Sequence, residues 1–400
     1  MFIKRVVPRI IRNSRNEKTI QIELTTYEGK FIASAPSGKS TGKHEVPSYN
    51  SKGIGRSRVL LKAFCKRITG KNYLLKKIDD LKKLRSAIGK FEARFGRMGG
   101  NVTYTLDAVF LKAAAADKNK ELWEFINDEV NNGLKPKMPM PVGNCIGGGL
   151  HSKLTRGKRP DFQEFLLIPK EASFSKAVTK NFHAYLYAKG LLKAQKRGDE
   201  GAWRTDKTNE EVLDILKKVG KKYGVRIGMD IAASTFYDKG YYLYKNKNLI
   251  RDKVDQADYM ERLAKKFGVF YMEDGMQEED FGGFRETLSA ARKGALVVGD
   301  DLTTTNLARV RRAVAGKSIN AMIIKPNQIG SMIEVKKVVE FCKRHKIKMI
   351  FSHRSGETMD NALADFAVGF GAHFIKCGIY GRERLIKLKR VMDIEKGLNK

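Results

Sequence analysis

The later two-thirds of the chain alternates short apolar segments with amphipathic helical segments at intervals of roughly 25 residues. The apolar segments are FQEFLLI, VRIGMDI, VFYMED, ALVVGDD, AMIIKPN, KMIFSH and HFIKCG. Between them lie helical segments such as NEEVLDILKKVG and DYMERLAKKFG, several of which end at a glycine. This alternation is typical of a TIM-like (β/α) barrel. The sequence therefore predicts an α/β fold in which strands surround a central axis and helices cover them.

The first third has a different pattern. Residues 19–25 and 30–35 alternate in polarity around a turn and predict an antiparallel hairpin, to which residues 6–11 could add a third strand. From about residue 55 to 130 the pattern becomes helical, most clearly over 105–117. A chain of 400 residues also exceeds the usual size of one core. We predict a small N-terminal α+β domain over 1–130 and a barrel domain over 131–400, joined by a proline-rich connector at 135–143.

Acidic residues stand at the ends of three consecutive predicted strands: Asp230 ends GMD, Glu273 ends YME and Asp300 ends VVGD. Because the carboxyl ends of barrel strands meet on one face, these side chains are expected to lie together. Converging carboxylates repel one another unless a cation neutralises them, and an all-oxygen set suits a hard ion such as Mg²⁺. Any one of them alone could equally be a helix N-cap or a loop charge. Three in succession favour a metal site.

Basic residues follow the next predicted strands. Lys325 and Lys376 come directly after apolar runs, where nearby positive charge and partial burial could lower a lysine pKa enough to create a base. Each could instead be a structural partner of a neighbouring carboxylate. The segment His353-Arg354-Ser355 supplies hydrogen-bond donors suited to a phosphate or a carboxylate. These residues predict an anionic substrate beside the metal.

Two glycine-rich loops accompany these strands: residues 37–42, which contain GKST, and residues 147–149, which precede His151. The first resembles a nucleotide-binding P-loop. However, Ala33 stands where that motif requires its first glycine, and HEVPSYNSKG, which follows, is not a helix that could direct its N-terminus at phosphates. The sequence therefore argues against an ATPase.

The charge balance is strongly basic, with 78 Lys and Arg against 44 Asp and Glu and a net charge of +34. This surplus could attract RNA, another polyanion or an anionic membrane, or it could be a general property of a solvated surface, which we favour. The four cysteines lack disulfide or zinc spacing, and neither a signal peptide nor a membrane-spanning segment is apparent. A cytoplasmic location is expected.

The motifs together match one known family. They are SGKSTGKHE, DFQEF, GDEG, MDIAAS, MED, GDDLTTTN, IIKPNQIGS, SHRSGET and IKCG followed by ERL. From near its start to about residue 395, the chain resembles the enolase family, a glycolytic group of hydro-lyases. The resemblance implies reversible, Mg²⁺-dependent dehydration of 2-phosphoglycerate to phosphoenolpyruvate. It also implies an enolase-type barrel, a mobile loop at 36–45, and a homodimer or higher homo-oligomer.

The resemblance implies two metal ions in each active site once substrate is bound. Asp230, Glu273 and Asp300 match the ligands of the first Mg²⁺, which the substrate carboxylate also contacts. Ser40, in the mobile loop, matches the ligand of a second Mg²⁺ that arrives with substrate.

The resemblance also implies catalytic and binding roles. Lys325 matches the base that removes the C2 proton, and Glu200, with Glu164 beside it, matches the acid side that helps the C3 hydroxyl leave. The positions that match substrate contacts or the phosphate site and its neighbour are His151, Gln163, His353, Arg354, Ser355 and Lys376.

Several positions depart from the family pattern. Lys39 replaces the usual small residue of the SGxST loop, and VPSYNSKG replaces the acidic segment that usually follows HE, so we expect loop closure or its partners to differ. Gly147 replaces an asparagine, and the altered turn at 13–19 weakens any dimer contact inferred near Arg15. Two alternatives remain: a related enzyme that acts on a different acid, and a role in binding RNA or another polyanion.

Overall fold

The computed structural model describes residues 1–155 and 157–399. The chain begins with an antiparallel sheet of three strands: β1 (Arg5–Arg12), β2 (Lys18–Thr25) and β3 (Lys30–Ser34). Alternation along β2 places Ile20, Ile22 and Leu24 in the core. The predicted hairpin and its third strand are both confirmed.

Four helices follow: α1 (Gly53–Ile68), α2 (Leu81–Phe95), α3 (Gly100–Ala116) and α4 (Leu122–Asn131). Helix α3 is buried along nearly its whole length. Its alanines allow it to pack closely against β2 and β3 on one side and against other helices on the other side. Helix α4 ends next to the predicted domain boundary near residue 130, which stays a prediction.

The remaining strands and helices follow in chain order: β4 (Met140–Gly147), β5 (Glu164–Pro169), α5 (Phe174–Leu192), β6 (Trp203–Arg204), α6 (Asn209–Tyr223), β7 (Val225–Asp230), β8 (Tyr237–Asp238), β9 (Tyr241–Tyr244), β10 (Leu249–Arg251), α7 (Lys253–Phe267), β11 (Tyr271–Glu273), α8 (Phe281–Ala290), β12 (Leu296–Gly299), α9 (Leu307–Ala315), β13 (Ala321–Ile324), α10 (Pro326–Ile329), α11 (Met332–Arg344), β14 (Lys348–Ser352), α12 (Ala362–Gly369), β15 (Phe374–Lys376) and α13 (Arg382–Leu398).

Eight of these strands close a barrel in the order β4, β5, β7, β11, β12, β13, β14 and β15, and β15 pairs back onto β4. The predicted fold class, a small α+β domain followed by a TIM-like barrel, is confirmed. All seven apolar segments named from the sequence contain barrel strands. The eighth strand, β4, begins inside the segment that we interpreted as a connector. Pro141 near its start resembles a linker residue, yet a proline is tolerated at a strand's beginning.

Strand β5 runs in the opposite direction to its neighbours. It pairs antiparallel with both β4 and β7, whereas the other barrel pairings are parallel. The described residues that connect β4 to β5 form no α-helix, and without a crossover helix two neighbouring strands pair antiparallel. The reversal brings the start of β5, Glu164, beside Asp230 at the end of β7.

A buried carboxylate joins α3 to the barrel. Asp107 is fully buried, and its Oδ2 accepts a hydrogen bond of 2.9 Å from the backbone N–H of Met332 at the start of α11. Arg85 Nη1 lies 3.7 Å from Oδ1. Burial raises the pKa of Asp107 to about 6, against the opposing effect of Arg85.

We expect Asp107→Asn to reduce the pH dependence of stability. Because the folded-state pKa lies above the ordinary value, Asp107 favours folding most when protonated, and this contribution falls by about 2 kcal/mol as pH rises from 4 to 6. Urea unfolding at pH 4 and pH 6.5 would measure the difference between protein and variant. Asp214→Asn, at an exposed position of α6, is the control. An identical pH dependence in all three proteins would contradict the assignment.

Candidate active site

Polar side chains stand at, or directly after, the carboxyl ends of six barrel strands: Asp230 (β7), Glu273 (β11), Asp300 (β12), Lys325 (β13), His353 (β14) and Lys376 (β15). Eleven of the thirteen residues predicted from the sequence line one small polar cavity at this face. The other two are Glu273, which accepts hydrogen bonds from Lys376, and Asp300, which accepts one from Lys325. Both lysines line the cavity. The tertiary structure thus brings the whole predicted set together.

The Lys376 ammonium lies among three buried carboxylates. Its Nζ is 2.8 Å from Asp230 Oδ2, 2.8 Å from both carboxylate oxygens of Glu273 and 3.1 Å from Glu164 Oε2. Burial opposes the charge, but Asp230, Glu164 and Glu273 outweigh it and hold the pKa of Lys376 well above its ordinary value. Lys376 therefore remains a cation in this arrangement, and the expectation that it could be a low-pKa base is wrong.

Lys325 is paired with Asp300. The ammonium contacts Asp300 Oδ2, and Gln328 Nε2 donates a hydrogen bond of 3.2 Å to Asp300 Oδ1. Burial lowers the pKa of Lys325, but the charge of Asp300 raises it more, so the net shift is upward. The expected downward shift is wrong for this arrangement, because the nearest charge is negative. Lys325 would lose its proton readily only if the charge of Asp300 were neutralised.

Two histidines surround the Glu200 carboxylate. His353 Nε2 lies 3.1 Å from Glu200 Oε2, and His151 Nδ1 lies 3.4 Å from Oε1 and 2.9 Å from Glu164 Oε1. Asn144 Nδ2 also donates to Glu200, at 3.2 Å. Burial disfavours the charge of Glu200, but His353 and His151 hold its pKa well below the ordinary value.

Glu164 shifts in the opposite direction. Burial and repulsion from Glu200 raise the pKa of Glu164, and Lys376 only partly offsets this. The site therefore holds an ionised carboxylate next to one that retains its proton more readily, an arrangement suited to proton transfer.

The predicted phosphate site is occupied by a carboxylate of the same chain. Arg354 donates from Nη1 and Nη2 to the two oxygens of Glu45, each at 3.0 Å, and its side chain is 3% exposed. The loop at 36–45 approaches closely because Gly38 has no side chain, and a Cβ there would lie 2.0 Å from Arg354 Nη2. Arg15 Nη1 reaches Ser355 Oγ at 3.4 Å. Arg15 thus belongs to the rim of this site.

The unusual loop residue Lys39 has a partner across the cavity. Its Nζ lies 2.9 Å from Asp199 Oδ2, and Asp199 precedes Glu200. The backbone N–H of Lys43 donates to Glu278 at 2.9 Å, and His44 Nε2 lies 2.5 Å from Glu279 Oε1. These contacts hold the loop against the barrel mouth.

Some site residues had no assigned role in the sequence. Asp274 has φ of 45° and accepts the backbone N–H groups of Asp300 and Asp301 at 3.0 and 2.7 Å, which fixes the end of β12. Asn144 lies in β4, whose start was read as a connector. Glu45 and Asp274 lie inside recognised motifs, but only their tertiary partners reveal what they hold.

The predicted metal ligands fit a hard divalent ion. Asp230, Glu273 and Asp300 are buried and offer only oxygen atoms. Burial and repulsion from Asp230 raise the pKa of Glu273 well above its usual range, so the site needs more positive charge than its lysines supply.

Ligand atoms of three residues lie within 4.8 Å of one another in two other groups among the described residues: His151 with Glu164 and Glu200, and Asp274 with Asp300 and Asp301. The predicted set is not one of these. Its carboxylates instead contact the Lys376 and Lys325 ammonium groups.

The His353–Glu200 pair should make stability depend on alkaline pH. Although burial opposes the charged imidazole, Glu200 raises the pKa of His353 to about 9. Because this value exceeds the ordinary 6.5, the pair stabilises the fold fully below pH 6.5, and about 3 kcal/mol is lost as pH rises through 9. We expect His353→Gln to lack this loss in urea unfolding at pH 6.5 and 9.5. His345→Gln, at an exposed site, should behave like the unmodified protein.

Removal of the Lys39–Asp199 pair should loosen the loop. Both side chains are about one-third exposed, so the pair contributes no more than about 1 kcal/mol. Lys39→Ala should therefore speed hydrogen exchange of the amides in residues 37–42 by up to about fivefold. Lys43→Ala in the same loop, whose side chain forms no ion pair with a described residue, is the control. Equal exchange rates in the two variants would rule out a specific role for Lys39.

Comparison with known proteins shows which family the chain is similar to. The family profile described as "Enolase, N-terminal domain" matches residues 3–126, and "Enolase, C-terminal TIM barrel domain" matches residues 135–400. A protein named enolase from Thermoplasma acidophilum is 34% identical, with 99% of this chain and 98% of that protein covered. Enolases from Methanosphaera stadtmanae and Pyrobaculum aerophilum are 33% and 34% identical, each covering 98% of this chain and 96% of the relative. The chain therefore belongs to the enolase family of hydro-lyases.

Proposed function

We propose that the chain catalyses the reversible, Mg²⁺-dependent dehydration of 2-phospho-D-glycerate to phosphoenolpyruvate. One observation carries the proposal. Lys325 follows β13 and Glu164 begins β5, and these strands are four positions apart in a closed barrel of eight, which supports a base at Lys325 and an acid side at Glu164 on opposite sides of the cavity. This is the arrangement that removal of a C2 proton and departure of a C3 hydroxyl from opposite faces require.

Lys325 is the proposed base for the C2 proton. That proton lies beside a carboxylate and is weakly acidic, because its removal creates a dianionic enediolate. When bound to Asp230, Glu273 and Asp300, Mg²⁺ would supply positive charge that stabilises this dianion and would offset the Asp300 charge that keeps Lys325 protonated. Lys376 adds a permanent positive charge next to the same carboxylates.

Glu164 and Glu200 form the proposed acid side. The raised pKa of Glu164 supports a protonated carboxyl that can donate to the departing hydroxyl. Glu200, which lies 3.1 Å from His353 Nε2 and 3.4 Å from His151 Nδ1, would act on the same hydroxyl. The sequence-based prediction likewise assigned Glu200, with Glu164 beside it, to the acid side.

The remaining predicted residues would contact the substrate or a second metal ion. Arg354 and Ser355 would hold the phosphate. The phosphate would replace the Glu45 carboxylate, which now accepts both hydrogen bonds from the Arg354 guanidinium. Gln163 Oε1 is buried and has no hydrogen-bond partner among the described residues, which supports a ligand contact there. Ser40 lines the same cavity and is the proposed ligand of a second Mg²⁺.

Other expectations from the sequence stay predictions: the cytoplasmic location, the homodimer or higher homo-oligomer, and the domain boundary near residue 130. In the portion of the chain that the structure describes, no helix has the length and apolar character needed to cross a membrane.

The test separates the two proton transfers. With Mg²⁺ and 2-phosphoglycerate, Lys325→Ala should lower kcat by roughly 10²–10⁴-fold and abolish exchange of the C2 hydrogen with deuterated solvent. Glu164→Gln should slow phosphoenolpyruvate formation by a similar factor yet retain C2 exchange. Ultraviolet absorbance of phosphoenolpyruvate and NMR of the recovered substrate are the readouts.

Lys337→Ala, at an exposed lysine of α11, is the matched control and should keep full activity. A chelator should abolish activity, and added Mg²⁺ should restore it. No phosphoenolpyruvate from the unmodified protein, together with C2 exchange in a non-phosphorylated hydroxy acid, would refute the proposal and support the alternative of a different acid substrate.

A further inference from the structure

The positive charge of the chain is concentrated in α1, α2 and the segments next to them. Residues 52–97 contain 15 Lys and Arg against 3 Asp and Glu, a ratio of five to one, whereas the ratio for the whole chain is below two to one. Fourteen of these basic side chains are exposed, and the exception is Arg85, which donates to the carbonyl of Gly330 at 2.8 Å. We call residues 52–97 the α1–α2 surface.

In the described part of the molecule, no carboxylate lies at ion-pair distance from these exposed charges. None of the fourteen exposed basic side chains forms an ion pair with any residue that the structure describes. The three acidic residues of the segment have other partners. Asp79 pairs with Lys336 at 3.0 Å, Asp80 accepts backbone N–H groups at 2.7 and 3.1 Å, and Glu92 accepts the backbone N–H of Met98 at 2.7 Å.

The two helices hold the charges in one rigid array. Phe64 of α1 packs edge to face on Phe91 of α2, with ring centroids 5.4 Å apart. The Arg67 guanidinium stacks over Phe91 and Phe95 at 5.1 and 4.7 Å from the ring centroids. The Arg67 side chain is therefore already ordered before any partner binds. Less conformational entropy is lost on binding, which favours association with a regularly charged ligand.

We propose that the α1–α2 surface binds the phosphodiester backbone of nucleic acid without sequence preference. Helix α1 alone, 16 residues long, extends over about 24 Å, and a DNA duplex presents one phosphate charge per roughly 1.7 Å of its axis, so several phosphates face the array at once. The described residues of the surface include no exposed aromatic side chain that could stack on a base, which limits recognition to phosphates.

The same surface is poorly suited to a lipid membrane. A helix that lies in the membrane interface must turn an apolar face toward lipid. The apolar face of α1 instead packs into the protein core through Leu60, Leu61 and Phe64, and only Val59 and Leu74 are exposed large apolar residues within the described part of this surface. Because this surface is strongly positive and has no apolar face that could insert into lipid, it favours nucleic acid over a membrane.

The test compares two variants with the same reduction of charge. The first replaces Lys62, Lys66, Lys83 and Lys90 of the α1–α2 surface by Gln. The control replaces four exposed lysines of α6 by Gln: Lys217, Lys218, Lys221 and Lys222. Binding of a fluorescein-labelled RNA duplex of about 20 base pairs is measured by anisotropy at increasing KCl, because phosphate contacts make affinity fall with salt.

For the unmodified full chain, log affinity should fall linearly with log salt. The α1–α2 variant should bind at least about tenfold more weakly at low salt. Its salt slope should also be shallower, by roughly 0.9 on a B-DNA duplex for each phosphate that no longer has a lysine partner. The affinity of the α6 control should stay within about twofold of that of the unmodified chain. A DNA duplex and an RNA of different sequence should give the same ranking.

Equally weakened binding in both variants would overturn the proposal, since it would indicate attraction by net charge alone. Weakened binding that appears only with phosphatidylserine vesicles and not with RNA would overturn it in favour of a membrane. If the fourfold variant melts early by circular dichroism, Lys62→Gln with Lys66→Gln is tested against Lys217→Gln with Lys218→Gln by the same criteria.

Discussion

The mouth of the barrel depends on the balance of buried charge around Lys376. One ammonium contacts Asp230, Glu273 and Glu164, three carboxylates that would repel one another strongly without it. The burial that raises the pKa of Glu273 also strengthens its attraction to a cation. The lysine therefore holds the carboxylates together while their combined charge still favours a divalent ion.

The reversed direction of β5 determines which carboxylates surround Lys376. Because β5 starts at the face where its neighbours end, it contributes Glu164 from its first residue instead of its last. Glu164 then lies next to Asp230 and Lys376, opposite Lys325 across the barrel. A parallel β5 would place Glu164 at the far end of the barrel, where it could not share the cavity with Glu200 and the two histidines.

The loop at 36–45 connects the N-terminal domain to the same charges. Glu45 neutralises Arg354, and Lys39 pairs with Asp199 beside Glu200. The loop thus supplies an anionic partner for Arg354 and a cationic partner for Asp199. Under the proposed function, a substrate phosphate would compete with Glu45 for the Arg354 guanidinium, so substrate binding would be linked to the position of the loop.

The amino-acid sequence by itself determined the barrel, seven of its eight strands, the N-terminal hairpin and the identity of the polar residues at the strand ends. These features are local, since apolar periodicity and motif spacing are properties of neighbouring residues. The sequence did not determine the eighth strand, the direction of β5, the upward pKa shifts of Lys325 and Lys376, or the partners of Glu45 and Lys39. Only the tertiary structure decided these, because each depends on which charges and strands from distant parts of the chain come together.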